Sequence, residues 1–561
     1  MKSMKKIITA LVAAAMIPQL SIAQDMESKM KQMTLREKIA QIVIVGVTSR
    51  GTTEGHEATI KQISDLQLGG VIVDDDKLTT SLQLINELQN VSEIPLMVTI
   101  DGEWGASMRY REYTVFPRAM QFGALRSPEL VYKAGKAVGE ELKEINILVN
   151  FAPDVDVNNN PANPVIGVRS FGENKKKVAE YGSAFMRGMK DAGVAGSAKH
   201  FPGHGDTDVD SHKGLPVLQF DRERLEKLEL YPFRKLVADG VDMVMIGHLS
   251  VPALDATMTP ASVSYPIVTE LLKNKMGYKG IVITDALEMK GIAGDGVDAS
   301  LEAYKAGADI LLMPLNARHT IDTLEKAFKS GALDEKELDE KVLKMLDLKK
   351  RLGMFEPGYK KTVDTTNIET RTVRPQTEEL IQEIADKSIT VVRKRGALPY
   401  IKDWSSTAYI AYHPSENTKY ITDRLKEKGV AIFEIPEGAS NEFIYNIRKE
   451  LFHKYKRVIV GFHSGSPTSR TGGPRRMTKI TPEQFQILSS LGVRHNAICL
   501  YFGIPYDFNG FKRYKDFNCI VMGYEDTKYN NTTAAKLLFG EIKAEGQLPV
   551  AAGKYRCGRS R

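Results

Sequence analysis

The sequence predicts an α/β protein built as a TIM-like (β/α)8 barrel followed by an open α/β sandwich domain. Three observations lead there: eight short apolar runs in the first 350 residues, amphipathic stretches between them, and six further runs beyond a polar crossover. Continuous runs of four to eight apolar residues suit strands buried on both faces of a parallel sheet. Eight such units match a barrel with insertions, and periodicity leaves an open doubly wound sheet as the alternative.

The elements follow in order. Residues 1–24 read MKSMKKIITALVAAAMIPQLSIAQ, with lysines first, then an apolar run, then a small-x-small site at Ser21 to Ala23. That is the layout of a secretory signal peptide (1–23), so an exported protein beginning near Gln24, periplasmic or secreted, is expected. The barrel is expected over 26–355. Its runs are 42–46 (IVIVG), 70–74 (GVIVD), 96–101 (LMVTID), 147–153 (ILVNFAP), 195–202 (AGSAKHFP), 242–248 (DMVMIGH), 280–285 (GIVITD) and 308–314 (ADILLMP). Between them, 130–145 shows helical spacing, with Leu130, Ala134, Ala137, Val138 and Leu142 on one face. Polar residues end several runs: Asp101, Lys199 with His200, His248 and Asp285. A barrel gathers such strand ends on one face, where barrel enzymes keep their chemistry.

Residues 356–377 are polar and threonine-rich and read as a linker. The second domain is expected over 378–556, with runs at 388–392, 409–412, 430–435, 457–462, 497–502 and 519–522. None of its helices opens with a glycine-rich phosphate loop, and the basic loop 464–476 (SGSPTSRTGGPRR) reads as solvated, with leaning over a neighbouring active site as the alternative.

Composition narrows the function classes. With 42% hydrophobic and 26% charged residues the chain is an ordinary globular protein, which excludes a mostly disordered one. The net charge of +7 falls to +4 without the three N-terminal lysines and reads as spread along the chain, giving no electrostatic case for nucleic acid. No stretch is long and apolar enough for a membrane span. Three cysteines (Cys499, Cys519, Cys557) allow at most one disulfide and show no metal-ligand spacing.

The chemistry concentrates in 199–216, KHFPGHGDTDVDSHKGLP. As a metal site, His200, His204 and His212 with the aspartates offer ligands, but no helical ligand pattern appears. As a calcium loop, Asp206, Asp208 and Asp210 match the first ligands, yet Ser211 stands where glycine is needed and Val217 where the bidentate glutamate belongs. Neither a metal nor another cofactor is expected. The remaining reading is acid/base work. Asp210 and His212 lie two apart in a loop after a strand end, so the carboxylate can orient the imidazole and support its protonated form.

The same segment resembles the signature of glycoside hydrolase family 3, in its β-N-acetylglucosaminidase (β-N-acetylhexosaminidase) branch. Further matches run through the barrel in the family's order: IDGEWG at 100–105, NPVIGVRSFG at 163–172, HLSVPALD at 248–255 and GYKGIVITDALEMKGI at 277–292. The resemblance implies Asp285 as nucleophile, His212 as general acid/base and Asp210 as its partner. It implies Asp101, Arg109, Arg169, Lys199 and His200 as residues that bind the sugar. The expected activity is retaining exo-hydrolysis of terminal N-acetylglucosamine from peptidoglycan- or chitin-derived oligosaccharides. The alternatives are phosphorolysis or β-glucosidase action at the same site, or a catalytically silent carbohydrate-binding protein. Trp104 departs from the family's cytoplasmic bacterial forms, which carry glycine there, and reads either as core or as an apolar platform for a sugar ring.

Overall fold

The computed structural model describes residues 26–211, 214–292, 298–396, 398–463 and 479–561. The expected signal peptide and the basic loop 464–476 lie outside the described residues. Eight parallel strands form the first sheet: β1 (Val43–Val47), β2 (Gly70–Val73), β3 (Met97–Ile100), β4 (Val149–Asn150), β5 (Ala195–Phe201), β6 (Met243–Ile246), β7 (Ile281–Thr284) and β8 (Leu311–Leu312). Their spatial order is β7-β6-β5-β4-β3-β2-β1-β8. A parallel bridge between Ile283 and Ile310 brings β7 against β8 and nearly closes the ring, which decides for a barrel over an open sheet.

Every strand coincides with one of the apolar runs, β1 passing the end of its run by one residue at Val47, because a strand covered on both faces gains from burying each side chain. The barrel interior is filled by Ile44, Ile72, Met97, Val149, Phe151, Met243, Met245, Ile281 and Ile283. Met345 and Leu348 of the helix Glu335–Arg351 join this cluster. The helices Glu129–Glu144 and Lys175–Ala192 pack backbone to backbone. A Cβ at Gly135 would stand 2.2 Å from the Phe185 carbonyl oxygen, and one at Gly188 2.2 Å from that of Tyr132, so only glycine admits this approach.

The second sheet has six strands: β9 (Thr390–Arg393), β10 (Thr407–Tyr412), β11 (Ala431–Ile435), β12 (Arg457–Phe462), β13 (Asn496–Tyr501) and β14 (Cys519–Met522). The order is β11-β10-β12-β13-β14-β9, with β9 alone running antiparallel, against β14. Cys499 and Cys519 are buried in this sheet, and all three cysteines are free. The two sheets' surroundings are joined by a buried ion pair, Arg118 Nη1 to Glu525 Oε2 at 3.0 Å, and by Tyr506 Oη donating to the Asn158 carbonyl at 2.7 Å. The polar segment after the barrel lies on it. Asn86 and Val363 exchange two hydrogen bonds, and Lys361 Nζ donates to the Ser92 carbonyl. No helix among the described residues is long and apolar enough to cross a membrane.

Candidate active site

The carboxyl ends of the barrel strands surround a cavity of about 430 Å³. All five residues expected to hold a sugar line it: Asp101, Arg109, Arg169, Lys199 and His200. Asp285, the expected nucleophile, lines it as well, from the first position past β7.

The strand ends fix these side chains. Asp101 follows β3 and accepts from Lys199 Nζ at 2.8 Å and from Arg109 Nη2 at 3.1 Å. Burial alone would raise its pKa, but the two cations hold it below the ordinary aspartate value. Two residues on, Glu103 accepts from Arg169 through Nε (2.9 Å) and Nη2 (2.7 Å) and sits 2.8 Å from Lys199 Nζ. It too stays ionised, its pKa driven far down by these cations against the cost of burial. Lys199 and Arg169 are thus clamped between carboxylates that keep both charged and aimed into the cavity.

His200 is oriented from below. Its Nδ1 lies 2.8 Å from Asp156 Oδ2, and Arg169 Nη2 approaches Nε2 at 3.3 Å. A guanidinium only donates, so Nε2 is the acceptor and Nδ1 carries the proton toward Asp156. Asp156 also accepts from the His204 backbone N–H at 2.6 Å, and these donors hold its pKa low despite burial. Its neighbour Asp154 goes the other way. Burial and the Asp156 charge push it well above the ordinary range, against the pull of the Arg169 guanidinium. Burial lowers His204 to about 4. The Thr207 hydroxyl donates to the His204 carbonyl, so it accepts from Nδ1, leaving Nε2 a lone pair with no partner among the described residues. Asp154, Asp156 and His200 could offer ligand atoms within 4.8 Å of one another. The Arg169 guanidinium already stands 3.7 Å from Asp154, however, and supplies the positive charge there.

Asp285 is set by backbone bonds. Its N–H donates to the Ile246 carbonyl at 2.9 Å, and its Oδ1 accepts from the Ala286 N–H at 2.8 Å. His248, fully buried, lies under this turn, 2.9 Å from the Ala286 carbonyl and 2.8 Å from Ser262 Oγ. It supports the strand end and does not line the cavity.

Asp210 is half-buried in the loop after β5, and its carbonyl accepts from the Gly214 N–H at 3.1 Å. It does not line the cavity, and His212 lies outside the described residues. Ser211, between them, does line it. The carbonyls of Ser211 and Gly214 press on Gly291, where a Cβ would come within 2.8 and 3.2 Å of them. The loop carrying the expected acid therefore rests on the segment that carries Asp285.

Trp104 is core. It is 4% exposed, is absent from the cavity lining and lies under the Arg118 guanidinium, 4.6 Å from its ring centre. The sugar-platform alternative is thereby excluded, because Arg118 covers the ring face. Sequence reasoning gave no role to Glu103 or Asp156 and weighed His204 only as a metal ligand. Glu103 stood in the quoted IDGEWG segment, whose strand-end position was the available signal. Asp156 lies 44 residues from the histidine it orients, and no local spacing marks that contact.

A barrel whose strand ends clamp several charged donors and acceptors around one cavity has the layout of a barrel enzyme, and comparison with known proteins makes the class specific. Residues 34–348 match the family model described as the glycosyl hydrolase family 3 N-terminal domain. The chain is 31% identical over 546 residues to beta-hexosaminidase A of Pseudoalteromonas piscicida, covering 87% of this chain and 90% of that one. It is 28% identical over 350 residues to a beta-N-acetylglucosaminidase/beta-glucosidase of Cellulomonas fimi, covering 60% and 62%. Among solved structures it resembles a glycoside hydrolase family 3 beta-N-acetylglucosaminidase from Paenibacillus sp. at TM-score 0.76 and 32% identity, covering 92% of this chain and 98% of that one. The chain belongs to glycosyl hydrolase family 3, and the protein is a glycoside hydrolase acting on oligosaccharides.

Proposed function

We propose that the protein is an exported, retaining exo-β-N-acetylglucosaminidase that removes terminal N-acetylglucosamine from peptidoglycan- or chitin-derived oligosaccharides. One observation carries this reading: Asp285 and Ser211, the neighbour of His212, line one cavity together with the clamped cations Arg109, Arg169 and Lys199. In the first step an Asp285 carboxylate oxygen bonds to the anomeric carbon as the C1–O bond to the leaving group breaks, and His212 gives its proton to the departing oxygen. In the second, the now neutral imidazole takes a proton from water as that water's oxygen displaces Asp285, restoring the starting anomeric configuration. Asp210 holds the imidazole and favours its cationic form before the first transfer. The ionised Asp101 and the cations it binds hold the sugar's hydroxyls by charge-assisted hydrogen bonds, and His200 Nε2 adds an acceptor. Names of the relatives support the N-acetylglucosaminide preference, and the N-terminal lysine-plus-apolar segment supports export.

The test is product analysis on chitobiose, cellobiose and muropeptide fragments, with and without phosphate, for wild type and Asp285→Ala. Release of free N-acetylglucosamine that vanishes in the variant is expected. Sugar 1-phosphate as the main product, or preferential cleavage of cellobiose, would overturn the reading.

A further inference from the structure

Charge is divided unevenly along the chain. Residues 378–561 carry 29 lysines and arginines against 19 aspartates and glutamates, a net of +10, whereas residues 1–377 carry a net of −3. The even spread expected from the overall excess does not hold. A basic C-terminal third beside a near-neutral remainder is a sign of an anionic partner.

The fold gathers these cations. Three segments meet beside the edge strand β9: Arg393 and Lys394 at its end, Lys512 and Lys515 before β14, and Lys554 and Arg559 near the C-terminus. Arg393 Nε donates to the Phe517 carbonyl and Arg559 Nε to the Val392 carbonyl, both at 2.8 Å, and the Lys554 N–H donates to Tyr514 Oη at 2.9 Å. Lys394, Lys512, Lys515 and Lys554 are exposed. The one acid within 512–517, Asp516, is held by Arg513 at 2.6 Å, and 554–561 contains none. Partial desolvation, then Lys515, Arg393 and Arg559, lower the Lys554 ammonium from its ordinary value, a mark of like charges brought close.

We propose that this face binds a carboxylate-bearing glycan and so keeps the enzyme on the polymer from which its substrate is cut. The proposal rests on the reading of the barrel as acting on peptidoglycan-derived glycans. The face is linked to the site: Glu173, in the turn that follows the Arg169 loop, donates its N–H to the Pro549 carbonyl at 3.1 Å and accepts from the Ala551 N–H at 3.0 Å. A glycan held at 554–559 therefore lies on the chain segment that abuts the barrel mouth. The face lacks the parts other anionic partners need. None of the large exposed apolar side chains falls in the three segments, so nothing inserts into a lipid surface. Tyr514 and Tyr555 are buried, so no aromatic face is open for a base to stack on.

The experiment is co-sedimentation of the full chain with purified peptidoglycan sacculi. Anionic vesicles and single-stranded DNA serve as separate arms, and the triple variant Lys512→Glu, Lys515→Glu, Lys554→Glu is the comparison. Wild type is expected to sediment with sacculi and to be released by salt, with the triple variant's bound fraction lower by roughly tenfold. The corresponding Lys→Gln variant is expected to fall between them. Hydrolysis of an aryl N-acetylglucosaminide should stay within about twofold, since these residues lie outside the cavity, which also reports that the variants fold. Equal sedimentation of wild type and triple variant, or wild type that prefers vesicles or DNA, overturns the proposal. Salt-sensitive binding by a protein that cleaves no N-acetylglucosaminide supports this surface and overturns the barrel reading instead.

Discussion

Replacing Glu103 by glutamine removes one charge from the centre of the cation clamp and leaves its shape. The native carboxylate takes three contacts at 2.7 to 2.9 Å, two from Arg169 and one from Lys199. The amide keeps one acceptor oxygen and turns an N–H₂ toward a cation. Breaking a buried ion pair on one side costs about 3–5 kcal/mol, because the surviving charge stays desolvated. Part of that is recovered here, since Arg169 can draw closer to Asp154, 3.7 Å away. Of the remainder, about 2.7 kcal/mol appearing as weaker sugar binding corresponds to a hundredfold lower kcat/KM. The loss should fall mainly on KM, because in the proposed reading Arg169 and Lys199 hold the sugar in ground and transition states alike. Steady-state kinetics on an aryl N-acetylglucosaminide measures this. A Glu103→Gln enzyme with kcat/KM within about twofold of wild type and unchanged melting temperature would refute the clamp, since a residue so placed cannot be neutral.

Three further predictions follow from other parts of the molecule. His212→Ala should lose far more activity on substrates with poor leaving groups than on activated aryl glycosides, and equal losses on both would count against the acid role. Lys349 is wholly buried with Gln41 Oε1 at 3.0 Å as its partner, and burial brings its pKa down from 10.5 to about 7. The unfolded chain therefore binds more protons between pH 7 and 10.5, so this lysine costs the fold of the order of 4 kcal/mol at pH 7, a penalty that fades as pH rises through that window. Lys349→Met should then gain stability at pH 7 in urea unfolding, with a gain that shrinks toward pH 10; a gain that grows with pH would contradict the account. Glu525→Ala strands Arg118 at the interface of the two sheets and should lower stability by about 3–5 kcal/mol, and a shift under about 1 kcal/mol would show that the pair is replaceable.

Much of this architecture was legible because burial writes itself into composition. Each barrel strand coincides with an apolar run, to within one residue at β1, since a strand covered on both faces has no polar side to alternate with. Lengths were less legible. The run 147–153 yields only Val149–Asn150, because Pro153 offers no N–H and the Ala152 amide turns back to bond the Asn150 carbonyl. The direction of β9 was not legible either: the first strand of the second sheet pairs with the last, β14, about 125 residues on, and no local pattern marks that edge pairing as antiparallel. At the site, charged residues at strand ends stood out against apolar runs, which is why Asp101, Lys199, His200 and Asp285 could be picked. Asp156 and His204 look in sequence like any loop carboxylate and imidazole, and only the fold brings them under Arg169. Trp104 shows the converse, since an aromatic beside a polar strand end reads the same whether it faces sugar or, as here, a guanidinium.

The most direct test of the central claim is the anomeric configuration of the first product, followed by NMR during cleavage of a β-N-acetylglucosaminide. A carboxylate at Asp285 that bonds to C1 and is then displaced by water gives the β anomer first, with the α anomer appearing only by later mutarotation, and Asp285→Ala gives neither. The α anomer appearing first, or undiminished release by Asp285→Ala, would contradict the account.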